Sequence, residues 1–355
     1  MLARAGNAAY GSGQKIARAC VAVPPAEDTP MSPTTLMPSL ARVRVFLDKS
    51  PGDKIRAIKA TFRSMFRRDG PGQSRACFQK QVETDLETIR RRLHTLAVIE
   101  RERYVNELLS APLYDDKRRL PPLGLKVYSQ NDEDGIIQEI FARIGLGTQT
   151  FVEFGVDNGL ENNTLKLLLE GWNGLWLEGS ETNVAQINTK FRAVIQQGRL
   201  QVRHAFIDKS NINHLIGQSY TGEIDLISID VDGNDIHLLE SLDIVSPRVV
   251  VIEYNGKFPP PLSIAQVYNP AHRWQGTDYG GSSLAAIASV AERKGYRLVG
   301  CNITGVNAFF VRHDLIEDKF CPPYTAENHY QPARYFLWPT FVAGHEPDWG
   351  PYITI

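Results

Sequence analysis

From Thr150 onward the chain repeats one arrangement: a short apolar run, then a segment with helical periodicity. The runs are "TFVEFG" (150–155), "GLWLEG" (174–179), the weaker "LQVRHAFID" (200–208), "IDLISIDVDG" (224–233) and "RVVVIEYN" (248–255). Runs this short and continuously apolar suit strands covered on both faces, and strands alternating with helices imply a parallel sheet with helices on both sides. The later "YRLVGCNITGVNAFFVR" (296–312) places two apolar runs around a turn containing Gly305, which reads as an antiparallel hairpin closing one edge of the sheet. The expected class is therefore α/β, a doubly wound, mostly parallel Rossmann-like sheet with a C-terminal antiparallel hairpin. A helical N-terminal arm precedes it. One further helix is expected to begin near Ser129, where Ser129 and Asp132 have capping-box spacing, and to bury Ile136, Ile137, Ile140, Phe141 and Ile144.

The region before this pattern differs in composition. Residues 1–120 carry 22 Lys and Arg against 13 Asp and Glu, whereas residues 121–355 carry 17 against 27, so a basic arm adjoins an acidic body. Residues 1–45, rich in Ala, Pro, Gly, Ser and Thr, are expected to lack fixed structure, either as a plain tail or with Met31 as the true start. The span 46–120 is read as a basic helical arm. In it, Ile55, Ile58, Phe62, Met65 and Phe66 recur at helical spacing among basic residues, and a long helix from Phe78 to Leu109 follows. The first helix suits either peripheral contact with an anionic membrane or docking on the body, the commoner fate of such a stripe, and the second suits pairing with a partner helix in a homo-oligomer. The main domain is expected at 121–315 and a C-terminal extension at 316–355. Four scattered cysteines with no C-x-x-C favour a reducing, cytoplasmic setting over a disulfide framework or zinc site. No run is apolar and long enough to be a transmembrane segment.

Ligands of open α/β sheets sit beyond the carboxyl ends of the strands. The first strand ends in Glu153, Gly155, Asp157, Asn158 and Gly159, a G-x-x-x-G spacing that is neither the dinucleotide fingerprint nor a P-loop. This loop is acidic, which opposes a diphosphate and suits a cationic ligand. Glu178 ends the second strand and is placed to accept hydrogen bonds from ribose hydroxyls. S-adenosylmethionine has both features, a cationic centre and a ribose.

The stretch "LISIDVDGNDIHLLESL" followed by "PRVVVIEYN" resembles the FkbM-like branch of class I S-adenosylmethionine-dependent methyltransferases, as do "SQNDEDGIIQEIF", "FVEFGVDNGLENNTLKLLLEGWNGLWLEGS" and "GVNAFFV". The resemblance covers roughly residues 125–315, and it departs from that family's pattern at Asp232 and Asp235, where glutamate is common. It implies a Rossmann-like methyltransferase sheet. It further implies that Glu153, Gly155, Asp157, Gly159 and Asn163 line the methionine and ribose side, with Asn162 and Thr164 completing the loop. Glu178 would hold the ribose, Asp208 would sit near adenine, and Asp230 would lie below the sulfonium.

Methyl transfer to a hydroxyl needs a collinear acceptor, carbon and sulfur, and a base or metal for the acceptor's proton. Asp230, Asp232 and Asn255 are the candidate catalytic residues. Asp230, Glu253 and Asn255 are the candidate ligands for Mg²⁺, against a plainer reading in which Asp232 and Asp235 cap the next helix and Glu253 pairs with Lys257. The insertion 257–284, with Tyr268, His272, Arg273, Trp274 and Tyr279, suits a lid that stacks on a sugar or other polar ring. The expected function is O-methylation of a sugar, glycan or other small hydroxylated molecule. The competing readings are a nicotinamide-dependent oxidoreductase and a non-catalytic scaffold that keeps the fold. The acidic body argues against nucleic acid as a partner.

Overall fold

The computed structural model describes residues 73–337 and 344–355, so the expectations for 1–45 and for the basic stripe from Ile55 to Phe66 lie outside the described residues. The chain divides into two compact units, Met1–Leu86 and Glu87–Ile355. The long helix α1 (Gln73–Leu109) begins in the first and ends in the second.

The body follows in the order α2 (Glu133–Ile144), β1 (Thr150–Phe154), α3 (Leu165–Leu169), β2 (Asn173–Glu178), α4 (Glu181–Lys190), α5 (Arg192–Gln196) and β3 (Leu200–His204). Then come α6 (Ile212–Gly217), β4 (Gly222–Ile229), α7 (Asp235–Ser241) and β5 (Val245–Glu253). The chain closes with β6 (Ile264–Gln266), α8 (Leu284–Arg293), β7 (Tyr296–Cys301), β8 (Asn307–Arg312), α9 (Ala326–His329) and β9 (Tyr352–Thr354). The seven-stranded sheet has the order β3-β2-β1-β4-β5-β8-β7. Its first five strands are parallel, and β8 joins antiparallel to β5 before pairing with β7. The expected doubly wound sheet and edge hairpin are both present.

Strand side chains alternate between two cores, as the period of two requires. Val152, Phe154, Ile227, Ile229, Val250 and Ile252 pack on one face with α6, α7 and α8. Phe151, Trp176, Leu226, Val249 and Val251 pack on the other with α2 and α3. The expected apolar face of α2 is buried there in full. Helix α2, however, starts at Glu133 rather than near Ser129. The Asp134 carboxylate reaches back to accept the backbone N–H groups of Val127, Tyr128 and Ser129, so those donors are satisfied in a loop rather than in a helical turn. Leu120, expected as the last residue of the arm, is fully buried against Gly300 in the second core.

One buried ion pair fixes the amino-terminal edge of the sheet. Arg248 on β5 meets Asp225 on β4 at 2.6 Å, with Asp225 fully buried. Arg248 also donates to the carbonyls of Ile144 and Gly145, orphan acceptors at the end of α2. Asp225 in turn accepts the N–H groups of Gly147 and Gln149. Helix, connecting turn and two central strands are thus held by one pair of charges. Arg248→Met leaves the carboxylate buried without its cation, so urea unfolding of that variant is expected to show a loss of about 3–5 kcal/mol. A loss below ~1 kcal/mol would mean that the pair does not organise this edge.

Candidate active site

A cavity of about 550 Å³ opens at the carboxyl ends of the parallel strands. Its floor comes from the residues that follow β1, β2, β3, β4 and β5. Its roof comes from the 256–283 insertion and from Tyr335 and His345 in the tail. The tail is tied to the insertion because β9 pairs antiparallel with β6.

At one end, Gly155 sits at φ +67°, and a Cβ there would lie 2.0 Å from the carbonyl oxygen of Asp230. The tips of β1 and β4 therefore touch through backbone, and only glycine permits it. Glu178 accepts the N–H of Asp157 at 2.9 Å and that of Ser180 at 2.7 Å, which pins the glycine loop to the tip of β2. Asp157 accepts from the Asn183 amide at 2.6 Å. Gly155, Asp157 and Glu178 all line the cavity. Burial raises the Glu178 carboxyl above its ordinary range.

Glu153, Gly159, Asn163 and Asp208 do not line it. Glu153 is buried beneath the loop, where it accepts the N–H groups of Asn163 and Thr164, and burial pushes it up to about 7. The Asn163 amide bonds Ser228 on β4, and Asn162 caps the start of α3 through the Leu165 N–H. Gly159 packs close to Trp176 and Phe191. Asp208 accepts from Ser210 and Asn211 just before α6. Beyond β3 the cavity is lined instead by Ala205, Phe206 and Ile207, with the Arg273 guanidinium 3.5 Å above the Phe206 ring.

The other end is acidic. The side chains of Asp230, Asp235 and Glu253 each bring a carboxylate oxygen within 4.8 Å of the others. Asp235 already accepts the N–H groups of Val231 and Gly233, which lie in the loop before α7, so it braces that loop rather than capping the helix as expected. Among the described residues, no hydrogen bond reaches the carboxylates of Asp230 or Glu253. Lys257 pairs with Asp278 rather than with Glu253. Asp232 adopts φ +56° beside this group. The Asn255 amide donates to the carbonyl of Gly280 and accepts the Lys257 N–H, so the side chain faces the loop as well as lining the cavity. His237 is spent on the carbonyl of Gln266 at 2.8 Å. His272, on the roof, stands against the Asp232–Gly233 turn, where its Nε2 has no hydrogen-bond partner among the described residues.

Burial, reinforced by mutual repulsion, holds Asp230 and Glu253 well above ordinary carboxyl values, and burial brings Asp235 to about 6. The unfolded chain releases these protons near pH 4, while the folded chain keeps them to higher pH. Folding stability supplied by the protonated cluster is therefore full below about pH 4 and is lost as pH rises through the folded values.

Sequence reasoning reached the floor acids and the cavity-lining His272, Arg273 and Trp274. Tyr268 packs on His237, and Tyr279 packs on Tyr352. It missed Phe206, Tyr335 and His345. Phe206 was masked by a preference for the nearby carboxylate Asp208. Tyr335 and His345 lie some eighty to ninety residues beyond β5; Tyr335 is brought in as Ala333 and Arg334 donate to the carbonyls of Gly256 and Thr304, long-range contacts that leave no local pattern. Asp230→Asn removes one repelling charge, so its melting temperature is expected to exceed that of the unaltered protein by more at pH 8 than at pH 5. An equal difference at both values would show that the cluster carries no charge strain.

No family model matches the chain, and no curated protein matches it. Among solved structures, it is similar to the N-terminal domain of EvdMO1 with SAH bound, at 16% identity over 51% of this chain and 79% of that one, with a TM-score of 0.34. It is similar to magnesium protoporphyrin IX methyltransferase from Synechocystis PCC 6803 with bound SAM, at 15% identity over 60% and 97%, with a TM-score of 0.34. A third likeness is to the O-methyltransferase from Bacillus cereus in complex with SAH, at 15% identity over 60% and 88%, with a TM-score of 0.31. Likenesses at this level carry no argument about activity, which rests on the site itself.

Proposed function

We propose that the protein is an S-adenosylmethionine-dependent methyltransferase acting on a hydroxyl of a small molecule, sugar or glycan. The observation that carries this reading is the joining, in one cavity, of a glycine-tight acidic loop with carboxylates that lack hydrogen-bond partners. Gly155 supports close approach of a ligand to backbone, and Asp157 and Glu178 offer carboxylates suited to ribose hydroxyls. Phe206 and Ile207 supply an apolar wall for a purine ring. The acidic lining favours a sulfonium and opposes the diphosphate of a nicotinamide dinucleotide. When bound, S-adenosylmethionine supplies an electrophilic methyl group.

The chain's own residues would orient the acceptor and take its proton. Asp230 is the base in this reading: a bound sulfonium would favour its ionised form, which can then receive the proton of a hydroxyl. Asp232 would orient the acceptor beside it. Asp230 and Glu253 also present oxygens suited to Mg²⁺, with Asp235 adjoining and waters completing the shell. With Asn255 turned to the loop, this pair is a better seat for the ion than one built on Asn255. The roof, with Trp274 and Tyr335 each against His345, offers aromatic surface to a sugar or other polar ring.

Two measurements test this. In titration calorimetry, S-adenosylhomocysteine is expected to bind more tightly than NAD, and Glu178→Ala is expected to weaken it roughly tenfold or more, the equivalent of ~1.5–3 kcal/mol for a hydrogen bond to a charged group. Tighter binding of NAD would overturn the assignment. Separately, Mg²⁺ is expected to raise the melting temperature of the unaltered protein but not that of the Asp230→Asn/Glu253→Gln variant. The same rise in both would place the ion elsewhere.

A further inference from the structure

Helix α1 carries an exposed apolar stripe. Val82, Leu86, Ile89, Leu93 and Leu96 are 37%, 59%, 52%, 61% and 61% exposed. Single exposed leucines are ordinary, but five aligned along one helix are not. Their spacing alternates four and three residues, an average of 3.5, which is the period of a left-handed coiled coil rather than of a helix lying on a globular surface. Further along, α1 turns other residues inward: Val98, Arg101, Val105 and Leu108 are partly buried, and these fall on a different face.

We propose that this seam joins copies of this chain in a parallel helical coil. The spacing places Leu86 and Leu93 at the first core position of the heptad and Val82, Ile89 and Leu96 at the second. Asp85 and Arg90 then flank the seam on opposite sides, five residues apart. In a parallel, in-register assembly, Asp85 of one chain faces Arg90 of the next. An antiparallel pair centred on Ile89 would bring the two Arg90 side chains together. Leucine at the first core position, with the β-branched Val82 and Ile89 at two of the three second positions, favours three or four strands over two. The flanking positions of the last heptad are Ala97 and Ile99, apolar residues that widen the seam as four strands require. The assignment is a parallel homotetramer through α1.

Light scattering after size exclusion, on the full chain at micromolar concentration, tests it. The expected mass is about four chains. Ile89→Glu/Leu93→Glu is expected to give a single chain with unchanged circular dichroism and unchanged S-adenosylhomocysteine binding. A single-chain mass for the unaltered protein, as when residues 1–72 fold back over the stripe, overturns the proposal. So does a multimer that survives the double substitution. A dimer or trimer that the substitution dissolves overturns the four-stranded assignment while leaving the seam as the self-interface.

Discussion

The contact between Gly155 and the carbonyl of Asp230 is the constraint on which the site depends. It brings the tips of two central strands, β1 and β4, to backbone distance. Once they touch there, the chain after β1 must turn sharply, and Glu178 from β2 holds the turn through the Asp157 N–H. Beneath it, Glu153 satisfies the N–H groups at the start of α3. Any side chain at position 155 would part the strands and disperse the loop, Glu178 and the Asp230 cluster together.

The carboxyl edge of the sheet then has an unusual electrostatic character. Its amino edge neutralises buried charge by pairing Arg248 with Asp225. Its carboxyl edge gathers Asp230, Asp235 and Glu253, and among the described residues no cation pairs with them, Lys257 being directed to Asp278. Burying like charges without a partner costs stability, and the chain offsets part of that by holding protons on them. A site that keeps such a cost is poised for something that repays it: a cationic ligand, a metal ion, or a hydroxyl that gives up its proton.

How much of this was legible in the sequence follows from the range of each interaction. The strands were legible because apolar runs between turn residues are local signals, and the hairpin because Gly305 marks its turn. The floor acids were legible because strand ends are where ligands of such sheets collect. What escaped were choices between neighbouring polar groups and contacts made at long range. Asp208 and Asn255 have the right chemistry in nearly the right place, but local N–H groups claim Asp208, and the loop after β6 claims the amide of Asn255. Ser129 and Asp134 reverse the expected order at the start of α2 because one carboxylate satisfies three backbone donors at once. Tyr335 depends on backbone contacts of Ala333 and Arg334 with residues some thirty to eighty positions away, which periodicity does not reveal.

The central claim is that the β1 loop, Glu178 and Asp230 together form one ligand site of stated chemistry. A crystal structure of the protein grown with S-adenosylhomocysteine tests it most directly. The account predicts the ribose hydroxyls within hydrogen-bond distance of Glu178, the purine against Phe206, and the sulfur on the side of Asp230. Density for the ligand elsewhere, or the ribose turned away from Glu178 with the loop unchanged, would contradict it.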